Sequence, residues 1–292
     1  MSFTAQDVAK LREMTSAGMM DCKKALQENN GNMEEAVKYL RQKGIASAAK
    51  KAGNIAAEGV IAAQVAADHK SAVIVEINSQ TDFVAKNEEF QAFVKAVAAA
   101  AVKNQTATVE ALKKLDIGGK TVEEGAIELT AKIGEKIDVR RVQLVKASGG
   151  VYSYVHPVGS KIGVLVALSE ADATKGADMA MHIAAANPAP EYVSRDEIDQ
   201  NTIAQEKEIE ANKDDLKGKP AEIIEKIVTG RVDKILAAKV LLEQPFIKDS
   251  AVKVSAYLGN VKVESFARFN LGEGIEKKQS DYAAEVAAMM GV

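Results

Sequence analysis

The stretch Val73-Ile74-Val75-Glu76-Ile77-Asn78-Ser79-Gln80-Thr81-Asp82-Phe83-Val84-Ala85-Lys86-Asn87 carries the chain from one periodicity to another. Up to Ile77 it is apolar apart from Glu76, as a strand paired within a sheet is. From Phe90 onward Phe93, Val94, Val97 and Ala101 form one apolar stripe, which predicts an amphipathic helix. Asn87 and the two acidic residues after it suit that helix's N-terminus. Strand, turn and helix therefore form one unit. Within the turn, Asp82 or Thr81 is expected to cap a short helix and Phe83 to act as a hydrophobic staple. The polarity pattern of Glu76 to Lys86 is odd for packing alone.

Outward from this unit, Val60 to Val65 alternates loosely, as a partner strand would. A second copy starts about ninety residues later: Gly150-Val151 echoes Gly59-Val60, Gly163 to Ala167 echoes Val73 to Ile77, and Met179 to Ala186 echoes the helix. Ile137 to Val145, with its Arg140-Arg141 pair, and Lys262 to Phe269 read as further strands. The fold class is α+β, with a two-subdomain core of antiparallel sheets. Ahead of it, Val8, Leu11, Met14, then Met19, Cys22, Ala25, Leu26, then Met33, Val37, Leu40 predict a three-helix module. Thr4 before Asp7 and Asn32 before Glu35 stand at capping spacing, and Gly44 to Gly53 reads as a helical linker. Beyond Pro188 and Pro190, a polar helix from about Asp196 to Asn212 precedes a second one opened by Pro220 and lined by Ile224, Ile227, Val228, Arg231, Ile235 and Leu236. The two predict an inserted antiparallel coiled-coil hairpin. A last amphipathic helix is expected over Ser280 to Met290. The divisions are 1–54, 55–146, 147–190 with 241–272, the hairpin 191–240, and the C-terminal module 273–292.

Charge and composition exclude several functions. Lys+Arg 38 against Asp+Glu 41 leaves a net charge of −3, and no short window is dominated by Lys or Arg, so direct nucleic-acid binding is not expected. No apolar run approaches the roughly 18 residues of a membrane helix, and a cytoplasmic protein without membrane association is expected. One cysteine, Cys22, reads as a small buried thiol, and His69, His156 and His182 lie far apart, so neither a metal site nor a catalytic centre is expected. Gly118-Gly119-Lys120-Thr121 resembles the end of a phosphate loop, but lysines stand where that motif needs its upstream glycine. No cofactor is expected. His182, inside the apolar run Ala180 to Ala185, reads as a core or interface histidine.

The block Glu76 to Lys86 resembles the signature of the elongation factor Ts family around its Thr-Asp-Phe-Val turn. Leu11-Arg12-Glu13-Met14-Thr15-Ser16-Ala17-Gly18-Met19-Met20-Asp21-Cys22-Lys23-Lys24-Ala25-Leu26 is similar to the family's N-terminal signature, Gly218-Lys219-Pro220 through Arg231 to its hairpin, and Gly272-Glu273-Gly274-Ile275-Glu276-Lys277 to its ending. The resemblance implies an N-terminal ubiquitin-associated-like module and a guanine nucleotide exchange factor, not an enzyme, acting on the GTPase elongation factor Tu. It implies that Thr81, Asp82, Phe83 and Val84 press on the partner's GTPase domain and dislocate its magnesium. It implies docking through Leu11, Arg12, Gly18, Met19, Met20 and Lys23, and, in the second core half, His182 against a further partner domain. Whether the hairpin makes a homodimer or rests on its own core stays open.

Overall fold

The computed structural model describes residues 3–15 and 17–276. Helices α1 (Ala5–Thr15), α2 (Met19–Glu28) and α3 (Met33–Lys51) bury Leu11, Cys22, Leu26 and Ala36 against one another. Their starts follow the capping spacings: Thr4 and Asp7 exchange hydrogen bonds, and Asn32 accepts from the Glu35 amide at 3.1 Å.

The first half of the core runs β1 (Glu58–Val65), β2 (Ser71–Ser79), α4 (Asp82–Ala85), α5 (Glu88–Lys103), α6 (Val109–Lys113), α7 (Val122–Ile133) and β3 (Asp138–Lys146). Its antiparallel sheet has the order β1-β2-β3, and every residue of the central β2 is buried. Alternation along β2 sends Val73, Val75 and Ile77 toward α5 and α7, where Phe90, Val94, Val97 and Leu129 meet them. Ala72 and Ile74 point the other way, into a second sheet.

That sheet belongs to the second half: β4 (Gly150–Val155), β5 (Ile162–Leu168), α8 (Ala173–Ala185), α9 (Gln200–Ala211), α10 (Ala221–Lys239), β6 (Pro245–Phe246), β7 (Asp249–Lys253), α11 (Val254–Leu258) and β8 (Val263–Asn270). Its order is β4-β5-β8, again antiparallel. Leu165, Ala167, Val151, Ala267 and Phe269 face the first sheet, while Val164, Val166 and Leu168 face Met179, Ala180 and Ile183 of α8. The layers are thus helix, sheet, sheet, helix, an α+β architecture. The sheets approach closely at Gly163, where a Cβ would lie 2.5 Å from Ile61 Cγ2.

A buried ion network ties the sheets at one end. Glu76, 0% exposed, accepts from Arg140 at 3.0 Å, from Arg141, from Asn78 at 3.0 Å and from the Gly272 amide at 2.9 Å. Burial alone pushes its carboxyl up, but the Gly272 and Arg141 hydrogen bonds outweigh this and hold it below the usual glutamate range.

Two local expectations are corrected. Residues 44–51, read as a helical linker, are helical, but they continue α3 and dock on α7 instead of linking: Gly44 lies against Ala131, Arg41 pairs with Glu124, and Lys51 donates to the Gly134 carbonyl. The helix expected from Asp196 begins instead at Gln200, where Asp199 accepts from the Thr202 amide at 2.9 Å. Helices α9 and α10 run antiparallel around Ile198, Leu216, Val228, Val232 and Leu236, with Pro220 just ahead of α10. The helix expected over Ser280 to Met290 lies outside the described residues.

Candidate functional site

The strand β2 ends at Ser79, and the chain must turn before α5 can lie back over the sheet. Thr81, extended at φ −123°, is the N-cap of α4: its hydroxyl accepts from the Val84 amide at 3.4 Å. The same residue is held from the far side by Glu135, whose carboxylate accepts both the Thr81 N–H and the Thr81 hydroxyl at 3.0 Å. Ser79 Oγ donates to the Thr81 carbonyl at 2.9 Å. Below the turn, Val84 and Ala85 are buried in the first core half.

Phe83 does the opposite. It is 79% exposed, more than any other large apolar side chain among the described residues. The staple expectation is therefore corrected: Val84 and Ala85 do the inward packing, and the aromatic ring stands in solvent. Capping falls to Thr81 alone. Asp82 instead pairs with Lys86 one turn on, at 2.8 Å, and that hydrogen bond holds its carboxyl below the usual range. The Lys86 ammonium also lies 5.9 Å from the centre of the Phe83 ring, an exposed cation–π contact. The result is a short, stiff turn carrying an unpacked aromatic ring between an acid and a base.

Sequence reasoning missed one neighbour. The loop between β4 and β5 carries Lys161, whose charge reaches Asp82, and Val158, which is 75% exposed. The loop is fixed to the first sheet through the Ser160 carbonyl on the Ile61 amide, 2.8 Å, and Lys161 on Glu58, 3.0 Å. The signal was the run Pro157-Val158-Gly159, an apolar residue set in turn formers.

The helical module presents a second apolar surface. Met19 and Met20 are 56% and 74% exposed, and Arg12, Gly18 and Lys23 are exposed beside them. Arg12, Gly18 and Met19 line an open groove that Lys132 of α7 also borders. Leu11 and His182 are corrected as contact residues. Leu11 is wholly buried in the module's core and supports the surface from beneath. His182 is 1% exposed, its Nε2 at 2.9 Å from Gln244 Oε1 and its Nδ1 accepting from the Ile247 amide at 3.2 Å. Burial lowers its pKa, so the ring is neutral and Nε2 carries the proton.

The remaining candidates resolve into structure. Gly118 and Gly119 adopt φ +87° and +90°, and the Asp116 carboxylate accepts their N–H groups at 3.1 Å, so the amides a phosphate would need are occupied. Cys22 is fully buried with its Sγ 3.7 Å from the Ala17 carbonyl. Among the described residues no three His, Cys, Asp or Glu side chains gather as metal ligands, and no helix is long and apolar enough to cross a membrane.

Comparison with known proteins identifies the family. The sequence profile described as elongation factor TS matches residues 80–273, beginning at the Thr81 turn and ending in the Gly272-Glu273 segment that meets Glu76. The elongation factor Ts of Hydrogenovibrio crunogenus is 47% identical over 291 residues, covering 99% of this chain and 98% of that protein. Those of Trichlorobacter lovleyi and Clostridioides difficile are each 46% identical, covering 100% of both chains and 99% of both chains respectively. With a profile that matches more than half of the chain and relatives aligned over almost their full length, the chain belongs to the elongation factor Ts family.

Proposed function

We propose that this protein is the guanine nucleotide exchange factor of elongation factor Tu, a cytoplasmic factor without catalytic chemistry or a cofactor of its own. The observation that carries the reading is Phe83, a large ring 79% exposed on a turn whose backbone is clamped on both sides. An exposed aromatic on a mobile loop would lose entropy on binding, whereas one held ready gains nearly its full burial energy, about 1.5 to 3 kcal/mol. Inserted between elements of the partner's GTPase domain, Phe83 displaces groups that hold Mg²⁺ and the phosphates, with Asp82 supplying an acceptor and Val84 holding the turn in register. GDP then leaves and GTP rebinds. The module's Arg12, Gly18, Met19, Met20 and Lys23 dock on the same domain, and the second core half reaches another.

Linkage fixes the direction of the cycle. If this protein weakens GDP binding by some factor, GDP weakens its binding equally, each tenfold being about 1.4 kcal/mol. Exchange is therefore catalytic and reversible, and is drawn forward by GTP. The test is release of a fluorescent GDP analogue from elongation factor Tu by stopped flow. Substoichiometric wild-type protein accelerates release and folded Phe83→Ala largely does not. No acceleration by wild type would reduce the protein to an interaction partner without effect on nucleotide.

A further inference from the structure

We propose that Glu135 is a positioning residue of the exchange site, a brace that fixes the angle at which Phe83 is presented; this rests on the exchange reading above. Glu135 lies in the corner between α7 and β3, half-buried, and its carboxylate takes both hydrogen-bond donors of Thr81 at once, the N–H and the hydroxyl, each at 3.0 Å. A carboxylate suits this task because both its oxygens are acceptors; a carboxamide offers one. Thr81 in turn caps α4, so the direction of the Asp82–Ala85 turn depends on where Glu135 stands.

The corner that carries Glu135 is itself immobilised. Gly134 ends α7 in the left-handed region at φ +87°, and its carbonyl is taken by Lys51 of α3. The Lys136 amide donates to Gln80 Oε1 at 2.8 Å, and Asn54 donates to the same oxygen at 3.2 Å. The Ile137 amide is buried on Thr130 Oγ1 at 3.0 Å. Residues on both flanks of Glu135 are thus bonded either to the helical module or to the residue preceding Thr81. A brace with fixed ends transmits position. Lys132, three residues before Glu135, lines the groove beside Met19, so the same end of α7 touches both proposed partner-facing surfaces.

Positioning predicts a particular kinetic split. Docking through the methionine surface does not involve Glu135, so the half-saturating concentration of the factor stays near that of wild type. The maximal rate of GDP release, which needs Phe83 correctly aimed, falls. The experiment is stopped-flow release from elongation factor Tu bound to a fluorescent GDP analogue, titrated with full-length wild type, Glu135→Ala, Glu135→Gln, Thr81→Val and the Glu135→Ala/Thr81→Val double variant. Glu128→Ala, which removes a solvent-facing carboxylate from α7, controls for charge. Glu135→Ala removes both hydrogen bonds to Thr81 and is expected to lower the maximal rate roughly tenfold or more. Glu135→Gln falls between it and wild type and is the variant to read if alanine does not fold. The double variant loses less than the two singles combined, because both act through Thr81.

Hydrogen exchange at the Val84 and Ala85 amides, without partner, rises in Glu135→Ala while β2 stays protected. A folded Glu135→Ala with wild-type maximal rate, or a loss matched by Glu128→Ala, overturns the proposal. If wild type itself fails to release GDP, the exchange reading falls, and the amide measurement still decides whether Glu135 holds the turn.

Discussion

Between β2 and α5 the chain uses residues 80–87, whereas between β5 and α8 it uses only 169–172. The flanking strands are alike: each is the centre of a three-stranded antiparallel sheet and each feeds a helix lying on the outer face. The second connection is what packing alone requires. Asp172 caps α8 through the Lys175 amide at 2.9 Å, and the helix then buries Gly176, Met179, Ala180 and Ile183 in the core. The first connection inserts an additional helical turn with its own cap and clamp, and spends them on holding Phe83 in water. Where two halves of a fold share a frame, the element that one has beyond the other's needs is the one to read as functional.

That contrast breaks first on a pair of truncations. Met179→Ala, in the wholly buried face of α8, is expected to cost about 2 to 5 kcal/mol in urea denaturation and to leave GDP release per folded molecule unchanged. Phe83→Ala should do the reverse, with stability within about 0.5 kcal/mol of wild type and accelerated release reduced roughly 10- to 150-fold. A large stability loss in Phe83→Ala would mean that the ring packs inward after all.

The join between the halves gives the next largest effect. Glu76→Gln leaves Arg140 and Arg141 facing a neutral group in a buried network and is expected to cost about 3 kcal/mol. Its pH dependence has a definite sign. The folded pKa lies below the usual 4.5 of a glutamate, so the carboxylate's contribution is complete above about pH 4.5 and is lost as pH falls through the lower folded value. The stability gap between wild type and Glu76→Gln therefore closes in acid. A gap that stayed constant from pH 7 to pH 3 would place the stabilisation elsewhere.

Gly163→Ala tests the contact surface between the sheets. Its Cβ would meet Ile61 at 2.5 Å and Ile74 at 2.9 Å, an overpacking expected to cost about 1 to 3 kcal/mol, visible as a lowered denaturation midpoint. The smallest effect sharpens the comparison most. Thr81→Val and Asp172→Ala each delete a helix cap and should each cost about 1 kcal/mol. Only Thr81→Val should slow GDP release as well; equal behaviour in both assays would remove the distinction between the two connections.

Much of this was legible in residue order. The strand-like runs Val60–Val65 and Val73–Ile77, the period of three to four after Phe90, and their echo from Gly150 onward all appear as elements of the fold, because apolar runs and helical stripes express which residues must be buried. That residues 44–51 are helical was legible in their alanines and lysines; that they dock instead of linking was not, because only the surface of α7 opposite Arg41, Gly44 and Lys51 shows it. Likewise nothing in the spacing of Thr81 and Asp82 decides which one caps, since both are good N-cap types; the position of Lys86 and of Glu135 settles it.

By itself the sequence determined the α+β class, the helical module, the paired sheet-and-helix halves and the turn at Thr81 to Val84, since these follow from local periodicity and capping chemistry. Tertiary structure alone decided that Phe83 points outward while Leu11 and His182 point inward, that Glu76 bonds a glycine 196 residues away, and that Glu135 reaches Thr81. A side chain's exposure and its long-range partners depend on how whole elements stack, which no stretch of neighbouring residues encodes.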